Sequence, residues 1–334
     1  MKALVTGGGG FVGGAVARML RARGDEVRSF ARGDYPALRA LGVDVVRGDL
    51  GDRDAVMRAT AGVDVVFHVG AKAGVWGSLE SYRRANVDGT AHVIAACRAH
   101  GVGRLVFTSS PSVVFDDGDL EGVDERAPYP TRFLAHYPAT KAEAEQAVLA
   151  ANGPGLATVA LRPHLVWGPG DQHLVPRIVA RAKAGKLRGI GDGHWKVDTT
   201  YIDNAADAHL AAAEELGAEG RCAGKAYFVS NGEPIAVGSM IDQILRAAGL
   251  PPVGRRVPER VAYAAGWVSE LIYGALGRED EPMLTRFMVR QLSTAHWFDI
   301  RGARRDFGWA PKVRTEEGML RLGAWIRGGG LAKG

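Results

Sequence analysis

The sequence predicts an α/β fold built on a doubly wound parallel sheet, and three observations support that prediction. In the first half of the 334-residue chain, short apolar runs alternate with stretches of helical periodicity. The apolar runs are nearly uninterrupted, which is typical of strands in a sheet covered on both faces. A glycine-rich turn follows the first run, where a strand would pass into a helix.

The individual elements follow from these patterns in order. Strands are predicted at 2–6, 26–30, 43–47, 64–68, 104–108 and 156–162, with helices at 11–23, 82–100 and 137–150. After about residue 165, Pro, Gly and Trp become frequent and the predicted strands, at 200–202 and 226–229, are short. We therefore expect a nucleotide-binding domain at 1–165, with segments near 197–232 returning to it. The remainder, 166–330, is expected to form mainly a smaller, partly interleaved C-terminal substrate lobe.

Composition limits the class of protein. The chain is 46% hydrophobic and carries a net charge of +5 from scattered residues, which favours a solvated basic surface over nucleic-acid binding. Cys97 and Cys222 cannot build a disulfide framework or a cysteine zinc site, so no metal is expected. No long apolar run predicts a membrane span, the start is too short in apolar residues for a signal peptide, and we expect a cytoplasmic protein.

The glycine-rich turn at 6–13 has the pattern T-G-x-x-G-x-x-G. Gly7 would permit a tight turn, Gly10 would let the backbone approach a pyrophosphate, and Gly13 would let the helix pack on the strand. Phe11 and Val12 begin that helix and complete the predicted contact. A preceding strand and a following amphipathic helix make this a Rossmann-type dinucleotide site rather than a structural turn.

The end of the second strand bears on the choice of dinucleotide. An NAD site favours an acidic residue there, but this chain has Ala31 followed by Arg32. Because a guanidinium pairs well with a 2′-phosphate, the sequence predicts NADP(H). The alternative is that Asp34 supplies the acid and Arg32 is merely solvated. Asp49, after the third strand, is placed either against the adenine amino group or as a loop cap.

The segment Y-P-A-T-K at 137–141 predicts acid–base chemistry. On a helix, Tyr137 and Lys141 lie one turn apart on one face, so the ammonium is expected to lower the pKa of the phenol. Hydroxyl residues at 108–110 end the fifth strand, where a ligand crevice is expected, and Ser110 can hydrogen-bond a substrate oxygen. No G-x-S-x-G motif surrounds these serines, which argues against a hydrolase.

These motifs together resemble the extended short-chain dehydrogenase/reductases over essentially the full chain. Further stretches that carry the resemblance are D-L at 49–50, N-V-D-G-T at 86–90, R-P at 162–163, W-G-P-G-D at 167–171 and Y-I-D-N-A-A at 201–206. The resemblance implies a catalytic tetrad of Asn86, Ser110, Tyr137 and Lys141, with Lys141 also holding the nicotinamide ribose. It adds three expected cofactor contacts, which are Leu50, Ala71 and Pro163.

Within that superfamily the chain is most similar to the 3β-hydroxysteroid dehydrogenase-like branch, and closest to its members in bacterial olefin biosynthesis. The supporting stretches are 32–36, 71–78, 166–171, 230–234 and 304–308. This resemblance implies NADPH-dependent reduction of the ketone of a long-chain 2-alkyl-3-ketoacid, by a homodimer or within a multienzyme assembly. Substrate contacts are expected from Trp76, His164, Trp167 and Lys196, and a substrate carboxylate could also meet Lys72, Arg177 or His194.

Three other functions remain open from the sequence: a sterol or hydroxysteroid dehydrogenase, a nucleotide-sugar epimerase or dehydratase, and a non-catalytic NADP-binding protein. The epimerase would favour an acid in place of Ala31, and the non-catalytic class usually lacks an intact Tyr/Lys pair. The apolar segment 261–276 is expected to be a core or lobe helix rather than a lipid-facing one, with no stable membrane insertion.

Overall fold

The computed structural model describes residues 1–217 and 219–332. In chain order its strands are β1 (Lys2–Thr6), β2 (Glu26–Ala31), β3 (Asp44–Arg47), β4 (Val65–His68), β5 (Arg104–Thr108), β6 (Leu120–Val123), β7 (Ala157–Pro163), β8 (Val166–Trp167), β9 (Gly189–Ile190), β10 (Lys196–Val197), β11 (Thr200–Tyr201), β12 (Lys225–Val229), β13 (Ile235–Ala236), β14 (Arg256–Val257) and β15 (His296–Phe298).

The helices surround these strands. In chain order they are α1 (Phe11–Ala22), α2 (Pro36–Ala40), α3 (Arg53–Thr60), α4 (Leu79–Tyr82), α5 (Gly89–Ala99), α6 (His136–Ala150), α7 (Leu174–Lys183), α8 (Ile202–Gly217), α9 (Val237–Ala247), α10 (Glu259–Ala275), α11 (Arg286–Ser293), α12 (Arg301–Phe307) and α13 (Thr315–Arg327). A π-helical segment, Arg83–Asp88, joins α4 to α5. Short 3₁₀ turns occur at Pro111–Val114 and Gly330–Ala332.

Within the described residues, seven parallel strands form the central sheet in the order β3–β2–β1–β4–β5–β7–β12. The winding reverses between β1 and β4, and the crevice outside the carboxyl ends of the strands at such a point is where ligands bind in open α/β sheets. The predicted α/β, Rossmann-type fold is confirmed. The six strands predicted in the first half of the chain agree with β1–β5 and β7 to within one residue at each end.

Both faces of the sheet are covered, as the uninterrupted apolar strands indicated. Alternate residues of β1 enter different clusters: Val5 packs with Val16 and Leu20 of α1, whereas Leu4 packs on the opposite face with Val56 of α3. Burial on both faces favours a strand made of consecutive branched apolar residues over an alternating one.

The predicted single helix at 82–100 is interrupted in the structure. Only its first residue, Tyr82, belongs to α4, and the π-helical segment Arg83–Asp88 follows before α5 begins at Gly89. The Thr90 hydroxyl donates to the Asn86 carbonyl oxygen at 2.5 Å within this irregular stretch. The extra residue in the turn changes the direction in which Asn86 projects, and helical periodicity alone does not reveal such an insertion.

The smaller elements gather beside the carboxyl edge of the main sheet. A four-stranded sheet in the order β13–β10–β15–β6 occupies this region of the described chain. Helix α10 packs on α11 through Gly266, where an added Cβ would lie 2.9 Å from the Thr285 carbonyl carbon. Among the described residues, no helix combines the length and the apolar character needed to cross a bilayer.

Candidate functional site

The glycine turn between β1 and α1 forms an open cradle. Gly7 has φ +68°, and a Cβ there would lie 2.6 Å from the Gly70 Cα. A Cβ on Gly13 would overlap the Gly7 carbonyl oxygen, so the close contact of helix and strand requires glycine. Helix α1 begins at Phe11 with no side-chain cap, which leaves its first N–H groups for an anionic ligand.

A cavity of about 650 Å³ extends from this cradle along the carboxyl edge of the sheet. Its walls bring together every cofactor contact expected from the sequence, namely Gly7, Gly10, Phe11, Val12, Gly13, Arg32, Asp49, Leu50, Ala71, Lys141 and Pro163. The Ser109 hydroxyl also lines it, is buried, and has no partner within residues 1–217 and 219–332. The glycine cradle and this free hydroxyl fit a bound dinucleotide. A larger cleft of about 930 Å³, between α9 and α13, contains none of these residues.

The two candidates for the ribose end of the ligand differ in position. Arg32 is exposed, lines the cavity, and forms no ion pair within the described part of the chain. Asp34 does not line the cavity; it accepts from Arg39 Nε at 3.0 Å and from the Tyr35 amide at 3.0 Å. The ion pair with Arg39 also lowers the pKa of Asp34. Asp49 both lines the cavity and caps its own loop, accepting from the Gly51 amide at 2.8 Å.

Tyr137 and Ser110 face the other end of the cavity. Tyr137 lies in the first turn of α6, and Ser110 caps the 3₁₀ turn after β5, its Oγ 2.9 Å from Ser112 Oγ. Burial raises the pKa of Tyr137, while the nearby Ser110 side chain acts to lower it. The pKa of Tyr137 is therefore raised, not lowered as expected from Lys141, because desolvation disfavours the phenolate.

Lys141 points into the sheet. It is 2% exposed, and its Nζ donates to the Thr108 carbonyl oxygen at 2.6 Å and lies 3.9 Å from the centre of the Phe107 ring. Burial lowers the pKa of Lys141 to about 7. Removing water from the ammonium disfavours the charged form, and one carbonyl and one aromatic face only partly replace its hydration.

Asn86 does not line the cavity but holds one of its walls. Its Oδ1 accepts from the Lys72 amide at 2.7 Å, and its Nδ2 donates to the Lys72 carbonyl oxygen and to Thr140 Oγ1, both at 3.1 Å. The side chain thus joins the loop after β4 to the first turn of α6. Asn86 meets this pair of backbone groups because the π-helical segment turns it toward them.

Comparison with known proteins places this site in a family. Residues 4–258 match the 3-beta hydroxysteroid dehydrogenase/isomerase family. The chain is 56% identical to the 2-alkyl-3-oxoalkanoate reductase of Stenotrophomonas maltophilia (strain K279a), over 97% of this chain and 99% of that one. It is 52% identical to the protein of the same name from Shewanella oneidensis, over 96% and 85%. The crystal structure of gox2253 superposes with a TM-score of 0.78 at 27% identity, covering 98% of each chain.

The chain belongs to the 3-beta hydroxysteroid dehydrogenase/isomerase family. As a member of this family it is an oxidoreductase that acts on CH–OH and C=O groups. The predicted resemblance to extended short-chain dehydrogenase/reductases is confirmed.

Two features of this family member were missed by sequence reasoning. The first is a buried chain of hydrogen bonds through His68. The Gly70 amide donates to Thr6 Oγ1, which lies 2.7 Å from His68 Nδ1, while His68 Nε2 lies 3.0 Å from Thr90 Oγ1. Because Thr90 donates onward to the Asn86 carbonyl, its oxygen accepts from His68, which places a proton on Nε2 of the imidazole. Burial lowers the pKa of His68 to about 3, which keeps it neutral.

The second feature is a buried ion pair behind α6. Glu145 accepts from Arg162 Nη2 at 2.6 Å and from Arg162 Nε at 3.0 Å, and both side chains are at most 3% exposed. The Tyr129 hydroxyl also donates to Glu145, at 2.6 Å. Two features of the sequence could have indicated this ion pair. One is a carboxylate one turn beyond Lys141, and the other is an arginine within an apolar strand.

The four expected substrate contacts lie outside the cavity walls. Trp76 donates to the Arg278 carbonyl oxygen at 2.8 Å, and His164 is buried in an edge-to-face pair with Phe298. Trp167 is fully buried against Tyr201, and Lys196 is exposed on β10. Of the three further basic residues considered for a substrate carboxylate, only Lys72 lines the cavity. Arg177 pairs with Glu281, and His194 pairs with Asp192.

The lowered pKa of Lys141 predicts a dependence of stability on pH. Above about pH 7 the folded chain releases this proton while the unfolded chain keeps it up to its ordinary pKa, so the free energy of unfolding rises with pH in that window. Relative to Lys141→Met, the wild type should gain about 2 kcal/mol between about pH 7.5 and pH 9.5. Urea unfolding of the protein alone measures this.

A matched control is Lys186→Met, which removes an exposed lysine and should leave the wild-type pH profile unchanged. Equal pH profiles for wild type and Lys141→Met would show that the Lys141 ammonium keeps its ordinary pKa.

Proposed function

We propose that the protein uses NADPH to reduce the ketone of a long-chain 2-alkyl-3-oxoalkanoic acid to the 2-alkyl-3-hydroxyalkanoic acid, in olefin biosynthesis. The observation that carries the proposal is the meeting of Tyr137 and Ser110 at one end of a cavity whose other end is the glycine cradle. The substrate is taken from the relatives named 2-alkyl-3-oxoalkanoate reductase, because they align with nearly the whole chain.

The chain's own residues define where a dinucleotide would lie. The N–H groups at the start of α1 would hold the pyrophosphate, and Lys141 and Pro163 stand near the nicotinamide end of the cavity. When bound, the reduced nicotinamide supplies the hydride that the carbonyl carbon accepts. The protein then has to position the ketone and supply one proton to its oxygen.

Tyr137 is the proton donor in this proposal. Its raised pKa keeps the phenol protonated at neutral pH, which is the form that an acid needs. The Ser110 hydroxyl, next to the phenol, is placed to hydrogen-bond the same ketone oxygen as negative charge develops there. The hydrogen bond from Lys141 to the Thr108 carbonyl oxygen fixes the end of β5 at the site. The hydrogen bond from the Lys72 amide to Asn86 fixes the loop after β4.

The preference for NADPH over NADH rests on Arg32. Its guanidinium lines the cavity without an acidic partner in the described residues, so it is available for a 2′-phosphate. Asp34, the alternative candidate for a ribose contact, forms an ion pair with Arg39. We extend the proposal to a cytoplasmic homodimer whose residues 166–330 mainly form the substrate lobe; sedimentation velocity would measure its mass.

Arg32→Ala should weaken NADPH binding by about 10- to 100-fold, because it removes charged hydrogen bonds to the 2′-phosphate. NADH binding should change by less than about threefold. Titration of the protein's fluorescence with each dinucleotide measures both constants. Asp34→Ala is the matched control and should leave both affinities unchanged. Weaker NADH binding by Asp34→Ala, with no effect of Arg32→Ala, would instead favour NAD as the cofactor.

Tyr137→Phe should bind NADPH as tightly as the wild type but lose about 100- to 10,000-fold in kcat, because the proton donor is gone. Stopped-flow measurement of NADPH oxidation at saturating substrate gives kcat. Tyr273→Phe removes a phenol oxygen from α10 instead and should retain full turnover. If Tyr137→Phe kept turnover within a few-fold of wild type, another group would have to be the acid.

The substrate assignment is tested by following NADPH oxidation with three compounds. A synthetic long-chain 2-alkyl-3-ketoacid should give the highest kcat/KM, ahead of a 3-ketosteroid and a UDP-4-ketosugar. The steroid is the second candidate, because the matching family is named for steroid substrates. A kcat/KM for the steroid above that for the ketoacid would reassign the protein to sterol metabolism.

A further inference from the structure

Helix α10 exposes its most apolar face. In 261–276, Val261, Trp267, Val268, Leu271, Ile272 and Leu276 are each between 46% and 66% exposed. They make up six of the eleven exposed large apolar side chains in residues 1–217 and 219–332. The sequence-based expectation of a core or lobe helix is thus only half met: α10 belongs to the lobe, but its apolar residues are not in a core.

The exposed residues lie on one continuous face. Val261, Val268, Leu271 and Ile272 follow the three- and four-residue spacing of an α-helix, and the intervening Ala264 and Ala265 are exposed as well. The opposite side of α10 is attached to the protein through Ala262 and Gly266. Scattered apolar residues on a surface need no explanation, but a contiguous row rimmed by polar residues marks an interaction surface.

The charges around this face favour an anionic surface as its partner. Arg255, Arg256 and Arg260 are exposed at the amino end of α10, and none of them forms an ion pair in the described part of the chain. Nearby acids are mostly neutralised, since Glu259 pairs with Arg290 at 2.8 Å. At the carboxyl end, Arg278 pairs with Asp280, Glu281 pairs with Arg177, and Glu279 is an exposed carboxylate.

The side of α10 opposite this face contacts a loop that borders the cavity. Tyr273 of α10 packs edge-on against Trp76, with ring centres 6.0 Å apart, and Trp76 donates to the Arg278 carbonyl oxygen. Trp76 belongs to the same loop as Ala73 and Ser78, which line the cavity. Helix α10 therefore lies between its exposed apolar face and a loop that lines the cavity.

We propose that the exposed face of α10 rests on an anionic lipid surface, with its apolar side chains at the boundary between headgroups and acyl chains. Arg255, Arg256 and Arg260 would contact the headgroups, as the basic flank of an interfacial helix does. The inference rests on the proposed function in one respect: a long-chain ketoacid partitions into lipid, and this contact would bring the cavity to its substrate.

Flotation of the purified full chain with vesicles tests the proposal without any turnover. Vesicles of equimolar phosphatidylcholine and phosphatidylglycerol should bind at least about tenfold more protein than phosphatidylcholine alone, and added salt should reduce the binding. The double variant Leu271→Asn/Ile272→Asn should lose at least about tenfold in vesicle binding. The triple variant Arg255→Gln/Arg256→Gln/Arg260→Gln should lose the preference for anionic vesicles.

Leu320→Asn is the matched control, since Leu320 is exposed on α13, away from this face. It should bind vesicles like the wild type, and all variants should keep wild-type circular dichroism and reduce a short, water-soluble ketoacid normally. Absence of wild-type binding, or equal binding by Leu271→Asn/Ile272→Asn, would overturn the proposal. If that variant instead converted a dimer to a monomer in sedimentation velocity, the face would be a subunit interface.

Failure of the lipid contact and failure of the proposed reaction are distinguishable. Vesicle binding is measured without cofactor or substrate, and ketoacid reduction is measured without vesicles. Binding with no ketoacid turnover would keep the lipid surface and remove the substrate assignment.

Discussion

The buried ion pair between Glu145 and Arg162 is the constraint on which the site depends. It joins α6, which carries Tyr137 and Lys141, to β7, which ends at the cavity-lining Pro163. Removing one partner of such a pair costs about 3–5 kcal/mol, because the other charge remains buried. A helix tied at this point cannot slide along the sheet, so the phenol and the ammonium keep their positions relative to the cavity.

The His68 chain holds the other side of the site in the same way. It runs without a break from the Gly70 amide to the Asn86 carbonyl, and Asn86 in turn fixes Lys72 and Thr140. Each donor and acceptor along it is satisfied, which is the condition under which a buried polar network stiffens a structure. The glycine cradle, the loop after β4 and the start of α6 are therefore positioned together.

The features that could be predicted from the sequence are those that depend on local interactions, not on contacts between distant parts of the chain. The strands and the glycine cradle were predictable because apolar runs and glycine spacing are local signals. Asn86 was expected at the site, but its clamp on Lys72 depends on a π-helical turn that leaves no periodic signature. The placement of Trp167 and the exposure of α10 depend on how distant elements pack, and an apolar residue has the same sequence signal whether it meets a core or a surface.

The pKa of Tyr137 shows why local reasoning about charge also has a limit. One turn of helix brings Tyr137 and Lys141 to the same face, yet Lys141 donates to Thr108, and burial of the phenol is the stronger effect. A raised pKa makes the phenol a weaker acid, but it also ensures that the proton to be donated is present at neutral pH. Reduction of a ketone requires a proton donor, whereas oxidation of an alcohol first requires a proton acceptor. At neutral pH the phenol is therefore in the protonated form that a proton donor needs, and the desolvated site disfavours the phenolate that would accept a proton from an alcohol.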